Sequence, residues 1–309
     1  MEGDFYALFG YIERRTHKGV FPIPNYQIIT DSGADLSQQL LQQLDVKSVS
    51  LSLLFRGQTQ EDKVTDDIVE FYNALGQGEE AKTSAVNPEG WDHVIEPALK
   101  EGKDALVLTF SSGLSTTYQS AVIAANDLME QYPDRKIRVV DTRCASLGQG
   151  LFVYHVCKKR DEGLELEELA AWAEDHKLNL CHWFTVNDLM YLKRGGRVSA
   201  ATALVGTMLQ IKPVLHVDDE GHLINVGKAR GRKASIDALV KKMEETALEG
   251  QNDVAYICHG NCLEDAQYLA QKIKERCGVK EVHIGFTGAV IGSHTGPGVL
   301  ALFYLGSHR

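Results

Sequence analysis

From Tyr26 onward, short apolar runs alternate with longer segments whose apolar residues recur every three or four positions. Residues 26–30, 46–55, 105–110 and 137–140 predict strands, and residues 36–44, 65–75, 88–99 and 117–130 predict helices. The run 105–110 is apolar except for Thr109, the signature of a strand covered on both faces. Strands separated by helices imply βαβ units and a parallel sheet.

The pattern changes after an amphipathic, Glu-rich helix over 164–176. A strand over 181–186 is followed by a basic loop around Arg194 and a segment rich in Ala and Gly over 200–209. Two runs, 214–217 and 222–226, flank Asp218-Asp-Glu-Gly221 and predict a hairpin. A helix over 235–248, a strand over 254–259, a helix over 264–276 and a strand over 282–286 complete the series. The expected fold class is α/β: an extension over 1–25, a parallel-sheet α/β/α domain over 26–177, and an α/β sandwich domain over 178–309. The join falls near 175–180.

Composition narrows the function. The chain has 309 residues and a formal net charge of −10, which argues against a nucleic-acid or membrane-surface binder. No apolar stretch reaches the roughly 20 residues of a membrane helix, so no stable membrane insertion is expected. Residues 1–24 lack the basic start and long apolar centre of an export signal, and the six cysteines are scattered. A cytoplasmic monomer is the expectation.

Three turns carry candidate chemistry. Phe110-Ser-Ser-Gly-Leu-Ser-Thr-Thr-Tyr118 joins a buried strand to a helix, so free N–H groups and hydroxyls meet at a strand's C-terminal edge. Simple helix capping also explains these hydroxyls. Lys82-Thr-Ser-Ala-Val-Asn-Pro88 is a second hydroxyl-rich turn running into a helix. In Gly288-Ala-Val-Ile-Gly-Ser-His-Thr-Gly-Pro-Gly298 a β-like run leads to His294 among glycines. There is no phosphate-loop, dinucleotide or nucleophile-elbow motif. Neutral donors of this kind suit a carboxylate or a single phosphate. Cys258-His-Gly-Asn-Cys262 lacks a second ligand pair and reads as buried thiols at a strand end, so no metal and no cofactor is expected.

Taken in order, Thr30-Asp-Ser32, Thr83-Ser84, Ser111-Ser-Gly-Leu-Ser115, the run from Val186 to Ser199 and the run from Gly288 to Gly298 resemble the DegV family. The resemblance spans about residues 26–304. It implies a two-domain protein that holds one long-chain fatty acid, such as palmitate, stearate or oleate, between its domains. It also implies that the carboxylate is presented to a separate fatty-acid kinase, which uses ATP to make an acyl phosphate that feeds phospholipid synthesis. Carried over by position, Thr83, Ser115 and His294 bind the carboxylate. Ser84, Ser112, Gly113, Thr295 and Gly296 support those turns. Arg230 and Arg232 fall where the family has basic residues implicated in kinase docking. For the basic turn holding Arg194 and Arg197, docking, binding of a phosphate-bearing head group, or tying the domains together all remain open. Many members read Thr-Ser-Gln-Pro where this chain has Thr83-Ser-Ala-Val-Asn-Pro88, and Gly-Thr where it has Thr116-Thr117.

The physics allows a fatty acid. About fifteen buried methylene or methyl groups at about 0.8 kcal/mol each give a gross transfer term of roughly 12 kcal/mol. Polar anchors then need only keep the head group from being desolvated and unpaired. Tunnel walls are sought in 200–215, at Leu204, Val205, Met208, Leu209 and Ile211. The competing reading is a hydrolase or phosphoryl-transfer enzyme using Ser115 or Asp31 with His294 as base.

Overall fold

The computed structural model describes residues 25–62, 67–198 and 210–309. The tunnel positions expected at Leu204, Val205, Met208 and Leu209 and nearly all of the N-terminal extension lie outside them.

A four-stranded parallel sheet, in the order β2-β1-β6-β7, is made from β1 (Tyr26–Asp31), β2 (Val46–Val49), β6 (Asp104–Thr109) and β7 (Ile137–Asp141). Helices α1 (Gln38–Leu44), α3 (Pro88–Lys100), α4 (Thr117–Gln131) and α6 (Leu166–His176) flank it. Local chemistry fixes their starts. Ser37 Oγ accepts from Leu40 N at 3.2 Å, and Asn87 Oδ1 accepts from Gly90 N at 2.9 Å with Pro88 opening the helix.

The apolar run expected as one strand over 46–55 is two. It breaks at Ser50-Leu51, and β3 (Ser52–Phe55) leaves for a separate antiparallel sheet, β4-β3-β5, with β4 (Gln58–Glu61) and β5 (Ala81–Ser84). Thr83 therefore sits on a strand, paired with Leu53, and not in a turn.

All remaining strands among the described residues join one mixed six-stranded sheet, β10-β9-β8-β13-β11-β12, beginning at Leu180. Its members are β8 (Leu180–Thr185), β9 (Ile211–Val217), β10 (Leu223–Arg230), β11 (Val254–His259), β12 (Glu281–Phe286) and β13 (Leu300–Leu305). The hairpin expected around residues 218–221 is β9–β10, with a register shift between Asn225 and Gly227. Helices α8 (Arg232–Thr246) and α9 (Leu263–Cys277) cover one face, with Leu239, Met243, Leu269 and Ile273 packed against Trp183, Leu300 and Leu302.

The other face meets the first sheet through α5 (Leu147–Asp161). This helix is buried almost all round, and its Leu147 and Leu151 share one core with Phe184, Tyr256 and Phe303. Gly148 and Gly150 allow that depth. A Cβ at Gly148 would lie 2.3 Å from His182 Nε2, and one at Gly150 would lie 2.8 Å from Ala34 O.

Candidate functional site

Between the C-terminal edge of the parallel sheet and this inner face lies a cavity of about 480 Å³. Strand alternation builds its floor. His182 and Phe184 of β8 and Ala301 and Phe303 of β13 face the cavity, while Trp183, Leu300 and Leu302 pack into the opposite core. Ala301 pairs with Phe184 on one side and Cys258 on the other, so a small side chain lies between two larger ones on the floor. Phe110, Leu114 and Ala145 close the cavity from the first sheet, and Leu223 lines it from β10.

One wall is polar, and its hydroxyls and thiol are bonded to neighbouring side chains. Ser146 Oγ bonds to Asp35 Oδ2 and lies 3.2 Å from Cys258 Sγ, and Thr287 Oγ1 donates to Cys258 Sγ at 3.1 Å. Burial pushes the Cys258 thiol up to about 12. Among the described residues, no group of three or more His, Cys, Asp or Glu side chains is placed to hold a metal ion.

At the cavity mouth stand Thr83, Ser84, Ser115, Thr116, Arg197 and His294. Thr83 Oγ1 and His294 Nε2 are 2.9 Å apart and share a hydrogen bond. Ser115 Oγ accepts from Thr117 N at 3.2 Å and lies 2.8 Å from Thr117 Oγ1, at the start of α4. Free first-turn N–H groups and the positive end of that helix dipole favour an anion there.

His294 sits in the last turn of a short helix, α10 (Ala289–Thr295), where the sequence predicted a β-like run. The helix is capped from far along the chain, with Asp62 Oδ1 accepting from Val290 N at 3.0 Å. Tyr72 fixes the entry by donating to Thr287 O at 2.7 Å. Burial first, and the Arg197 charge second, bring His294 down to about 4, so its ring is neutral at pH 7.

Gly195 explains part of the basic turn. A Cβ there would lie 2.1 Å from His294 Nδ1, so only glycine fits against the ring. The supporting residues belong to the walls, not to the donor set. Ser112 Oγ donates to Asp141 Oδ2 at 2.6 Å, and Thr295 Oγ1 donates to Ile291 O at 3.0 Å. Gly296, at φ +74°, lies against the Tyr191 ring, and Gly113 lies against the backbone of the β9–β10 turn. Ser84 is exposed at the rim.

The four singled-out arginines part company. Arg197 turns inward, lines the cavity and donates through Nε to Leu114 O at 3.2 Å. Arg232 is held by Asp265 Oδ2 at 2.8 Å. Arg194 and Arg230 are exposed, the former 3.3 Å from Glu80.

Asp31 lies outside the cavity lining and is fully buried. It accepts from Phe110 N at 2.7 Å and Gly33 N at 2.9 Å, and burial raises it to about 7. It organises the β1–β6 edge. Among the described residues no hydrogen bond joins Ser115 to His294.

The aromatic floor was missed by sequence reasoning. The alternation His182, Phe184 and Ala301, Phe303 was available as a signal, but nothing in one sequence says that β8 and β13 are neighbours.

Known proteins share this fold. Residues 25–307 match the profile of a family described as uncharacterised protein, DegV family. A DegV domain-containing protein of Clostridium perfringens is 42% identical over 286 residues, covering 92% of this chain and 98% of that protein. A solved DegV family protein from Thermus thermophilus, described by its fatty acid binding, superposes with a TM-score of 0.80 at 33% identity, covering 91% of this chain and 99% of that one. DegV from Bacillus subtilis, described as a fatty acid binding protein, superposes with a TM-score of 0.77 at 26% identity, covering 92% of this chain and 100% of the other.

Proposed function

The chain belongs to the DegV family, and from that premise we propose that it binds one long-chain fatty acid in this cavity and presents the carboxylate to a separate fatty-acid kinase. The observation that carries the reading is an apolar cavity that gathers Thr83, Ser115 and a neutral His294 at one end. Its size falls within the range of about 300–1,000 Å³ typical of small-molecule pockets. Phe110, Phe184, Leu223 and Phe303 take the chain, and the hydroxyls and imidazole take the carboxylate. Arg197 supplies the one formal positive charge among the described lining residues. An arriving carboxylate favours a protonated imidazole, so head-group binding and proton uptake at His294 are coupled.

The protein itself makes no bond. Ser115 is hydrogen-bonded to Thr117, and Asp31 is spent on backbone donors, so neither is an activated nucleophile. The kinase brings ATP to the exposed mouth, and Arg194 and Arg230 offer it unburied charge. The acyl phosphate stays bound and passes to phospholipid synthesis. We place the protein in the cytoplasm, where that ATP is, as a monomer. No helix of the described residues is long and apolar enough to cross a membrane.

Native mass spectrometry of the purified protein, followed by denaturing extraction, tests the reading. One fatty acid per chain is expected, and it is lost or sharply reduced in Thr83→Ala/Ser115→Ala. A protein that is empty and also refuses added palmitate, stearate and oleate overturns it. Charge reversal at Arg230 is expected to weaken coupling to the kinase while the lipid stays bound.

A further inference from the structure

We propose that the tip of the β9–β10 hairpin, Asp218-Asp-Glu-Gly221, is part of the head-group site: it fixes the turn that presents Ser115, acting through Ser111, Gly113 and Arg143 as positioning residues. The proposal rests on the fatty-acid reading of the cavity.

The turn after β6 begins at Ser111, whose carbonyl accepts from Ser115 N at 3.1 Å. The place of Ser115 therefore follows the place of Ser111. Ser111 is held from the second sheet, since its Oγ donates to Gly221 O at 2.9 Å and accepts from Gly113 N at 3.2 Å.

Gly113 and Gly221 meet backbone to backbone. A Cβ at Gly113 would lie 2.8 Å from Gly221 O and 2.9 Å from Glu220 O, and neither atom can swing aside as a side chain would. A Cβ at Gly221, where φ is +81°, would lie 2.1 Å from Ser111 Oγ.

Two arginines hold the rest of the tip. The Arg143 guanidinium donates to Asp219 O, and Arg309 donates to Asp218 O at 3.0 Å and to Arg143 O at 2.7 Å. Asp141 links the two sides by accepting from both Ser112 N and Arg143 N at 3.1 Å.

Hairpin tips are ordinarily solvated. Here the side chains of Asp219 and Glu220 are exposed, yet the carbonyls of Asp218, Asp219 and Gly221 are all taken by groups outside the hairpin. Val217 and Leu223, which flank the tip, line the cavity. One hairpin thus forms the chain's wall and clamps the head-group turn, so loosening its tip disturbs both.

The test uses the full chain loaded with palmitate labelled with carbon-13 at the carboxyl, whose resonance reports the hydrogen bonds around the head group. Ser111→Ala, which removes one hydroxyl and adds no bulk, is expected to shift that resonance. Loss of the bond is also expected to speed palmitate release about tenfold. Gly113→Ala is expected to do at least as much. Tyr304→Phe serves as the stability control, since its hydroxyl bonds to Thr246 Oγ1 at 2.7 Å in the opposite core. That variant should lower Tm and leave the resonance in place.

Wild-type resonance and release in Ser111→Ala and Gly113→Ala would overturn the proposal, as would an equal change in Tyr304→Phe. If Gly113→Ala does not fold, Ser111→Ala decides alone. A wild-type protein that takes up no palmitate removes the fatty-acid reading and this proposal together, whereas normal uptake with unmoved variants removes this proposal only.

Discussion

Thr83, Ser115 and His294 are drawn from three distant stretches of chain, and each is set by a different local device. Thr83 is on a strand, Ser115 precedes a helix, and His294 is wedged between Thr83 and Gly195. Each hydroxyl is expected to contribute one hydrogen bond to an ionised head group. Thr83→Ala or Ser115→Ala should weaken palmitate binding roughly ten- to a hundredfold, since such bonds carry about 1.5–3 kcal/mol. Fluorescent fatty-acid displacement checks this, and unchanged affinity in both variants would exclude these hydroxyls from the head-group site. His294 gives a second prediction. In the empty protein its imidazole should titrate near 4, and Arg197→Gln should raise that value because a neighbouring cation is gone. The value should stay below the ordinary 6.5 because burial, the larger cause, remains. An NMR titration of the ring nitrogens reads both. The three residues stood out in the sequence because hydroxyls and a histidine crowd three short segments, and their assignment to one carboxylate came from the family resemblance. Their contact was not, since Thr83 and His294 are 211 positions apart.

At the scale of elements, long periodic segments were legible and context-dependent ones were not. Helices α3, α4, α8 and α9 carry their own caps or apolar stripes. By contrast, α5 is buried on nearly every side and so shows no amphipathic pattern, while its glycines read as breakers. Helix α10 is seven residues long and takes its cap from Asp62, so no local signal could announce it. That capping places three buried acids together. Burial raises Asp31 to about 7, Asp62 to about 6 and Asp35 well above its ordinary range. A raised acid means that the native state holds a proton the unfolded chain has released, so its contribution falls as pH rises through the folded value. Desolvation lowers His155, His182, His216, His259 and His294, which works in the opposite sense below their ordinary 6.5. Stability should therefore rise with pH up to about 6.5, where the histidines dominate, and decline above it, where only the acids still titrate. Asp35 isolates the acid part. Its Oδ1 is buried without a well-aligned donor, and its Oδ2 faces Ser146, so an amide mimics the protonated acid. Asp35→Asn should gain on the wild type by about 1.4 kcal/mol per pH unit, from about pH 4 up to the folded value. Thermal melts from pH 5 to 8 would show the gap widening, and a constant gap would mean that Asp35 is ionised in the native state.

The whole molecule makes its cavity by leaving two sheets imperfectly filled against each other. The α/β order was legible, as was the crowding of hydroxyl-bearing segments near the ends of strands. The depth of the cavity depends on which strands become neighbours, and that is a property of the fold alone. Ala301 marks the consequence. It lies between Phe184 and Cys258 with the cavity above it, and a larger side chain has no other direction in which to go, because Leu300 and Leu302 already fill the opposite core. Ala301→Leu should thus occupy space that the chain's methylenes use, while the head-group residues stay where they are. Each methylene excluded removes about 0.8 kcal/mol, so displacing three of them should lower affinity for an eighteen-carbon acid by roughly fiftyfold. A twelve-carbon acid, which leaves the far end empty, should lose little. A uniform loss across chain lengths would show instead that the substitution disturbs the sheet. A preference turned toward short chains, with Tm unchanged or raised by the filled void, would place the end of the chain over Ala301 and make this position the one that sets length.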